Sequence, residues 1–235
     1  MLDLSIPDMV ALAFFAGSWM LYHIAIERGG GLGLNGQMAQ YRLLWMKEMA
    51  DREVRIVDSA IMGSLQNGTA FFASTSLLAI GASAALLRAS EDAVKIAAEL
   101  PLGMSTSRVL WESKVIGLLL IFGYAFFKFG WSYRLFNYAA ILVGATPPAR
   151  DGATRDRARI ACRAGRMSVA AARHFTRGQR AFFFALAYLG WFLGPWFFMA
   201  MTAFVMCVMW ARQYRSDALK AAMWEPPADD PAIKP

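Results

Sequence analysis

The chain has 235 residues, of which 57% are hydrophobic and 17% are charged, and its formal net charge is +7. A soluble domain carries about 45–50% apolar and about 25% charged residues, so this composition excludes an ordinary soluble domain and indicates an integral membrane protein. Two cysteines and two histidines form no paired motif, and we therefore expect no disulfide framework, no metal and no other cofactor.

Four apolar stretches are long enough to cross a bilayer, which requires roughly 20 mostly apolar residues. They predict an all-α polytopic membrane protein, a four-transmembrane-helix bundle with amphipathic interfacial helices in its two cytoplasmic loops. The chain is then one integral membrane domain over 1–235 with a disordered tail at about 225–235. The predicted spans are residues 9–26, 61–87, 115–144 and 181–210.

The first span has neither the basic leading segment nor the cleavage pattern of a signal peptide, so we expect it to stay uncleaved. With four spans, the first and third loops share one side and hold 14 Lys and Arg residues, against 8 on the other side. Because basic loops stay in the cytoplasm, we predict that both of these loops are cytoplasmic and that both termini lie on the outer side.

The first cytoplasmic loop begins with the glycine-rich segment 29–36. This segment satisfies G-x-G-x-x-G in form, but the dinucleotide motif requires a preceding strand, and a membrane helix precedes it here. We interpret the glycines as a hinge, followed by an amphipathic surface helix over about 37–58 that has Met38, Tyr41 and Trp45 on one face.

The second span is rich in small residues, such as the pairs Ser64/Gly68 and Gly81/Ala85, which allow close approach of helix backbones. This pattern predicts that the second span is the packing centre of the bundle. The same span carries Gln66 and Asn67, which are typical of hydrogen bonds between helices.

The third span contains two cations, Lys128 near mid-membrane and Arg134 nearer the cytoplasm. A charge in hydrocarbon normally faces a bundle interior, a cavity or a partner. Arg134 is more simply explained by pairing or snorkelling near the interface. Lys128 is neutral, lines a hydrated cavity or meets an acidic partner of another subunit. Together with Gln66, Asn67, Asn137 and Tyr138, these cations are the candidate intramembrane polar site.

The second cytoplasmic loop is strongly basic, and on a helical repeat its arginines share one face. An amphipathic basic helix of this kind lies at the bilayer surface, with anionic phospholipid headgroups as its counter-charge. Its main role is then to fix the topology, and nucleic acid is not an expected partner. The predicted headgroup-binding residues are Arg159, Arg163, Arg166, Arg173 and Arg177.

The fourth predicted span contains Gly194 and Pro195 near its middle. Proline removes a backbone donor and leaves the carbonyl of Trp191 without its helical partner. We interpret Gly194 and Pro195 as a helix kink, which serves either close packing or a site.

Several of these segments together resemble the family known as domain of unknown function 599. The segments are the Arg42-x-x-Trp45 helix, residues 64–69, residues 127–138 and the stretch from 178–182 to Gly194-Pro195. The family usually has Arg-Asn where this chain has Gln66-Asn67. The resemblance implies a small multi-span protein of the bacterial inner membrane and implies no activity.

Three functions from different classes stay open at this stage. The absence of catalytic motifs and the small size favour an accessory or assembly subunit of a larger membrane complex, or a homo-oligomer. A transporter or channel for a small solute or anion would use Lys128 and Arg134 around a polar cavity, although no internal repeat is present. A lipid-modifying enzyme lacks a nucleophile and an acid–base set, so we do not expect an enzyme.

Overall fold

The computed structural model describes residues 4–29, 31–91, 107–151 and 154–223. Within these ranges the chain forms α-helices and short 3-10 turns and contains no strand, which confirms the predicted all-α class. The predicted tail at 225–235 lies outside the described residues. The helices are α1 (Ile6–Arg28), α2 (Leu34–Ala50), α3 (Ile56–Arg88), α4 (Arg108–Gly144), α5 (Thr154–Leu189), α6 (Pro195–Tyr214) and α7 (Asp217–Met223).

Four segments of the described chain are long and apolar enough to cross a membrane. Helices α1, α3 and α4 contain the first three predicted spans and extend each of them by a few residues. The fourth segment begins at Pro195 and comprises α6 and the short α7. The four candidate spans are Ile6–Arg28, Ile56–Arg88, Arg108–Gly144 and Pro195–Met223.

The predicted fourth span, 181–210, is wrong as a single helix. Helix α5 is continuous for 36 residues, so the basic loop helix and the apolar stretch after it are one element. A 3-10 turn over Gly190–Leu193 ends this element, and Gly194 follows with φ 126°, a backbone conformation that glycine adopts without steric cost. Pro195 then opens α6 at the position where a helix best tolerates proline. The predicted kink is therefore a turn between two antiparallel helices.

Contacts at the two ends of α6 fix its direction in the bundle. Near its start, the indole of Trp191 donates a hydrogen bond to Asp8 at the beginning of α1, over 2.7 Å. Near its end, Gln213 accepts a hydrogen bond from Asn35 of α2, over 2.9 Å. We call these two ends of the bundle the Asp8 end and the α2 end. Ser5 and Tyr214 consequently lie at opposite ends, and the expectation that both termini lie on one side, which depended on a single fourth span, is not met.

The centre of the bundle is the antiparallel pair of α4 and α5. The hydroxyl of Ser132 in α4 donates to the carbonyl of Ala171 in α5, over 2.8 Å, and both residues are fully buried. Two turns further along α5, Gly178 lies against the ring of Phe129, where a Cβ would approach a ring atom to 2.7 Å. Small residues on α5 therefore allow the two long helices to approach closely.

Helix α3 lies at the edge of the bundle and not at its centre. It packs mainly on α4, and only 11% of its most apolar window is buried, against 33% for α4. The prediction that α3 is the packing centre is wrong. Many of its small residues, such as Gly68 and Gly81, lie on the surface, because the side that contacts α4 is only a narrow stripe formed by Met62, Thr69, Ser76 and Ser83.

The α2 end is covered by α2 and α7. The predicted surface helix over 37–58 is two elements, because α2 ends at Ala50 and α3 begins at Ile56. Met46 and Met49 of α2 are fully buried in the cluster that α2 shares with α4 and α5. Trp45 joins α2 to α3 by donating to Asp58, over 2.6 Å.

Candidate functional site

The polar residues predicted within the membrane are brought together in pairs and not around one cavity. Gln66 of α3 donates to the side-chain oxygen of Asn137 in α4, over 2.7 Å. Arg134 donates to the hydroxyl of Tyr138 one turn away, over 2.6 Å, and both side chains are exposed on the surface of the bundle. Asn67 is exposed on the other side of α3 and makes no hydrogen bond with the described residues.

Lys128 lies apart from those pairs, in a groove between α4, α1 and α5. Its ammonium group is 5.1 Å from the centre of the Tyr124 ring, and it forms no ion pair within the described part of the chain. His23 of α1 and His174 of α5 are both within electrostatic range of it. Within the described ranges, no three His, Cys, Asp or Glu side chains lie close enough to hold a metal ion.

An ion pair closes the same groove towards the α2 end. Arg177 of α5 reaches Glu27 at the end of α1 with its Nη2 at 2.9 Å and its Nε at 3.1 Å. Arg177 was predicted to face lipid headgroups, and its guanidinium is instead bound to a carboxylate. The other four predicted headgroup residues are exposed on α5, and Arg159 pairs with Asp156 at 3.0 Å.

A cavity of about 550 Å³ opens at the α2 end, between the end of α1, helix α2 and helix α5. A second cavity of about 270 Å³ adjoins it and extends to α6. Arg180 lines both, and we call the combined space the Arg180 cavity. The sequence analysis treated Arg180 only as one more basic loop residue. Its position directly before the apolar stretch 181–193 is the signal that could have identified it.

The guanidinium of Arg180 is buried and incompletely satisfied. Its side chain is 9% exposed, and its Nη2 is 3.8 Å from Glu27. Its Nε and Nη1 have no hydrogen-bond partner among the described residues. The ring of Tyr22 lies 5.9 Å below the guanidinium carbon, which gives a cation–π contact and leaves those two N–H groups free.

Arg42 of α2 adds a second, partly buried guanidinium to the wall of this cavity. Its Nη1 donates to the hydroxyl of Ser168, over 3.2 Å, and its guanidinium carbon lies 5.7 Å from the Phe136 ring. Burial lowers the pKa of the Arg42 guanidinium, although such a group remains charged at any physiological pH. The cavity wall is therefore cationic.

The second candidate site is the face of α3 turned away from α4, which we call the α3 outer face. A Cβ added at Gly63, Gly68 or Gly81 would meet no atom within 4 Å. The residues of this face are all exposed. Six of them are small or polar, namely Ala60, Ser64, Asn67, Ser74, Gly81 and Ala85, and two that lie between them, Phe71 and Leu78, are large and apolar.

The turn at Gly194 is held by a buried lysine. The carbonyl of Trp191, which Pro195 cannot satisfy, accepts a hydrogen bond from the Nζ of Lys114 over 2.8 Å and another from the backbone of Gly194 over 3.2 Å. Lys114 is 3% exposed and lies 5.2 Å from the Trp191 ring. Its contacts explain how the α5–α6 turn is anchored to α4 and give no open site.

Comparison with known proteins yields one match. A family model described as "Protein of unknown function, DUF599" matches residues 10–218, which agrees with the resemblance seen in the sequence. No curated protein and no solved structure matches the chain.

Proposed function

The chain belongs to the DUF599 family of proteins of unknown function, and from this premise we propose that it is an accessory or assembly subunit of a larger membrane complex. In this proposal the α3 outer face binds a transmembrane helix of the partner protein. The observation that carries the proposal is the row of exposed small and polar residues along one face of an edge helix, with the large side chains of Phe71 and Leu78 between them.

The chemistry of the α3 outer face differs from that of an ordinary lipid-facing surface. Lipid tails gain nothing from glycine or serine, whereas a neighbouring helix gains close backbone contact from them. Helix α4 exposes large apolar side chains, such as Leu120 and Phe127, whereas the α3 outer face has small residues on both sides of its own large ones, Phe71 and Leu78. Asn67 adds an amide with no partner in the described structure, and a polar group in hydrocarbon is costly unless another helix supplies its hydrogen bond.

We also propose that the protein lies in a bacterial inner membrane, with its α2 end on the cytoplasmic side. Among the described basic residues, only Arg88, Arg108 and Lys114 lie towards the Asp8 end, and basic residues are retained on the cytoplasmic side. The second half of α5 runs beside the apolar part of α4, and in this topology both segments cross the membrane. A reporter fused to the C terminus is then cytoplasmic, and periplasmic activity of such a fusion would contradict this topology.

The test of the accessory role is affinity purification from the native membrane in a gentle detergent, followed by native mass spectrometry. The wild type is expected to carry a foreign subunit in fixed stoichiometry. Gly81→Leu places a bulky side chain on the α3 outer face, and it is expected to lose this subunit. Gly123→Leu is the matched control, because a Cβ there also meets no atom within 4 Å while the residue lies on α4.

Three other results would contradict the proposal. A bare monomer for the wild type would remove the partner altogether. A homodimer lost in Gly81→Leu would keep the α3 outer face as an interface and would replace the accessory role by self-association. Equal loss of the partner in both glycine variants would show that the contact does not depend on the α3 outer face.

Transport of a small anionic solute is a second candidate, favoured by the position of Lys128 in a groove with His23, His174 and Arg177. Against it, rings such as Phe129 and Phe184 fill the described interior of the bundle. Flux of a small anion into proteoliposomes is the test. Transport predicts loss of flux in Lys128→Met with the protein still inserted, and unchanged flux in Lys128→Met and Arg134→Gln would exclude it.

A further inference from the structure

Arg180 is a buried cation whose hydrogen-bond donors are not all satisfied by the surrounding residues. Two of its nitrogens have no partner in the described chain, and the third is 3.8 Å from Glu27, beyond hydrogen-bond distance. A guanidinium keeps its charge at physiological pH, and a buried charge is unfavourable unless its hydrogen bonds are made. Glu27 and the Tyr22 ring compensate this charge in part, and the remaining donors of Arg180 favour an acceptor from outside the described chain.

The Arg180 cavity has an excess of positive charge. Arg42 and Arg173 line it together with Arg180, and Glu27 is the one acid among the described residues that line either cavity. That carboxylate is already engaged by Arg177 at 2.9 Å. An incoming anion consequently meets three guanidinium groups and a single carboxylate that is largely neutralised.

Neutral donors lie at the junction of the two cavities. The side chains of Asn35, Thr176 and Gln179 line both spaces beside Arg180. The Thr176 hydroxyl already donates to the carbonyl of Ala172 over 2.9 Å, so the neutral donors available to an anion are the amides of Asn35 and Gln179. Amide groups beside a guanidinium suit an anion with several acceptor oxygens. The guanidinium and these neutral groups together offer more hydrogen-bond donors than a single carboxylate ligand requires.

We propose that the Arg180 cavity binds a phosphate group, with Arg180 as its charged anchor. A phosphomonoester carries about −1.5 to −2 charges at neutral pH, which matches the excess of cations better than the single charge of a carboxylate. The larger space, about 550 Å³, is within the range of about 300–1,000 Å³ typical of ligand pockets. It therefore leaves room for the substituent that bears the phosphate.

The lining beyond the cations is partly apolar. Ile26, Met38 and Phe175 face the larger space, and the apolar stretch of α5 begins directly after Arg180. The phosphate is then held at the level where a phospholipid headgroup meets the acyl chains. The same chemistry is offered to the phosphate of a soluble compound, so the test has to separate the two sources.

The experiment uses the full chain in dodecyl maltoside, a detergent without phosphate, in phosphate-free buffer. The probes are inorganic phosphate, phosphatidic acid and, as the control without phosphate, diacylglycerol with the same acyl chains. Binding is read from the thermal-unfolding midpoint and from ligand retained in native mass spectrometry. The variants are Arg180→Gln and Arg155→Gln, which removes an exposed arginine of the same helix outside the cavity.

The wild type and Arg155→Gln are expected to bind the phosphate-bearing probe with equal affinity, and diacylglycerol is expected to have no effect. Arg180→Gln is expected to bind about tenfold or more weakly, since it loses charge-assisted hydrogen bonds. Without a probe, Arg180→Gln is expected to unfold at the same or a higher temperature, because an unpartnered buried charge has been removed.

The pattern of probes identifies the source of the phosphate. Binding of phosphatidic acid alone assigns a lipid headgroup, and binding of inorganic phosphate as well assigns a soluble phosphate compound. No binding of either probe, or equal affinity of the wild type and Arg180→Gln, would overturn the proposal. A lower unfolding temperature of Arg180→Gln with unchanged affinity would make Arg180 a structural residue.

Should Arg180→Gln fail to fold, Arg173→Gln at the exposed rim takes its place. It is expected to weaken binding about two- to threefold, as for one exposed charge, and unchanged affinity there would overturn the proposal. The α3 outer face is formed by a different helix from those that line the cavity. The result is therefore independent of whether the accessory role holds.

Discussion

Helices α3 and α5 have opposite relations between composition and position. α3 is 33 residues long, has a highly apolar sequence and lies at the edge of the bundle, with most of its surface exposed. α5 is 36 residues long, has many arginines and forms the centre of the bundle against α4. Hydropathy identifies a helix that lipid tolerates, whereas the core is formed by the helix with the best packing partners. In a membrane these two properties are separate, because lipid tails are as apolar as a protein core.

The largest expected contrast comes from adding the same side chain to a glycine of each helix. Gly178→Leu in α5 drives atoms into the buried Phe129 ring, and we expect it to lower the free energy of unfolding by about 3 kcal/mol or more. Gly81→Leu in α3 meets open space and is expected to leave the stability of the isolated protein unchanged. Chemical unfolding in mixed micelles measures the free energy of unfolding of both variants. Equal losses would show that the Gly81 side of α3 is packed against other residues in the isolated protein.

A smaller contrast comes from removing one aromatic ring from each helix. Phe184 of α5 is fully buried and stacks on Trp19 with centroids 4.8 Å apart, whereas Phe71 of α3 is 66% exposed. Phe184→Ala is expected to lower the free energy of unfolding by about 2 kcal/mol. This loss is smaller than in a soluble protein, because the environment outside the membrane bundle is lipid, which is as apolar as the core.

Phe71→Ala is the matched control and is expected to lie within about 0.5 kcal/mol of the wild type. The same unfolding measurement compares the two phenylalanine variants. A cost at Phe71 as large as that at Phe184 would remove the distinction between an edge helix and a central helix.

The smallest expected effect concerns the hydrogen bond between the side chains of Gln66 in α3 and Asn137 in α4. Gln66→Leu removes the 2.7 Å hydrogen bond to Asn137 and is expected to cost about 0.6 kcal/mol, as interhelical hydrogen bonds in membranes do on average. Asn67→Leu, on the opposite face, is expected to cost nothing in the isolated protein. A larger cost for Asn67→Leu would show that its amide is already bound.

The spans of α1, α3 and α4 could be predicted because each is a long and mostly apolar stretch, in which Lys128 and Arg134 are the charged residues of the predicted α4 span. The role of α5 could not, because Arg173, Arg177 and Arg180 lower its hydropathy. Glu27, which pairs with Arg177 and approaches Arg180, comes from a distant part of the sequence. The turn at Gly194 could have been predicted, since a Gly-Pro pair marks turns. An apolar stretch on both sides of this pair favoured the interpretation as a kink.

The candidate sites were predictable only in part. Small residues in α3 predicted a helix-packing face, but a sequence does not say which side of a helix its own bundle covers. Lys128 was singled out by its charge in an apolar segment, whereas its neighbours His23 and His174 lie on other helices. Arg180 was overlooked because its burial depends on α1 and α2, which contact it only in the folded protein.

The turn between α5 and α6 also bears on how the chain enters the membrane. On the translocon scale an arginine at the centre of a segment costs about 2.5–3.5 kcal/mol, and only residues 181–193 of α5 are free of charge before Gly194. Taken alone, this segment is a poor substrate for lateral release into lipid. One glycine separates it from the apolar helix α6, so we expect the two to be released together as a hairpin. A chain that stops at Gly194 would leave the end of α5 outside the bilayer.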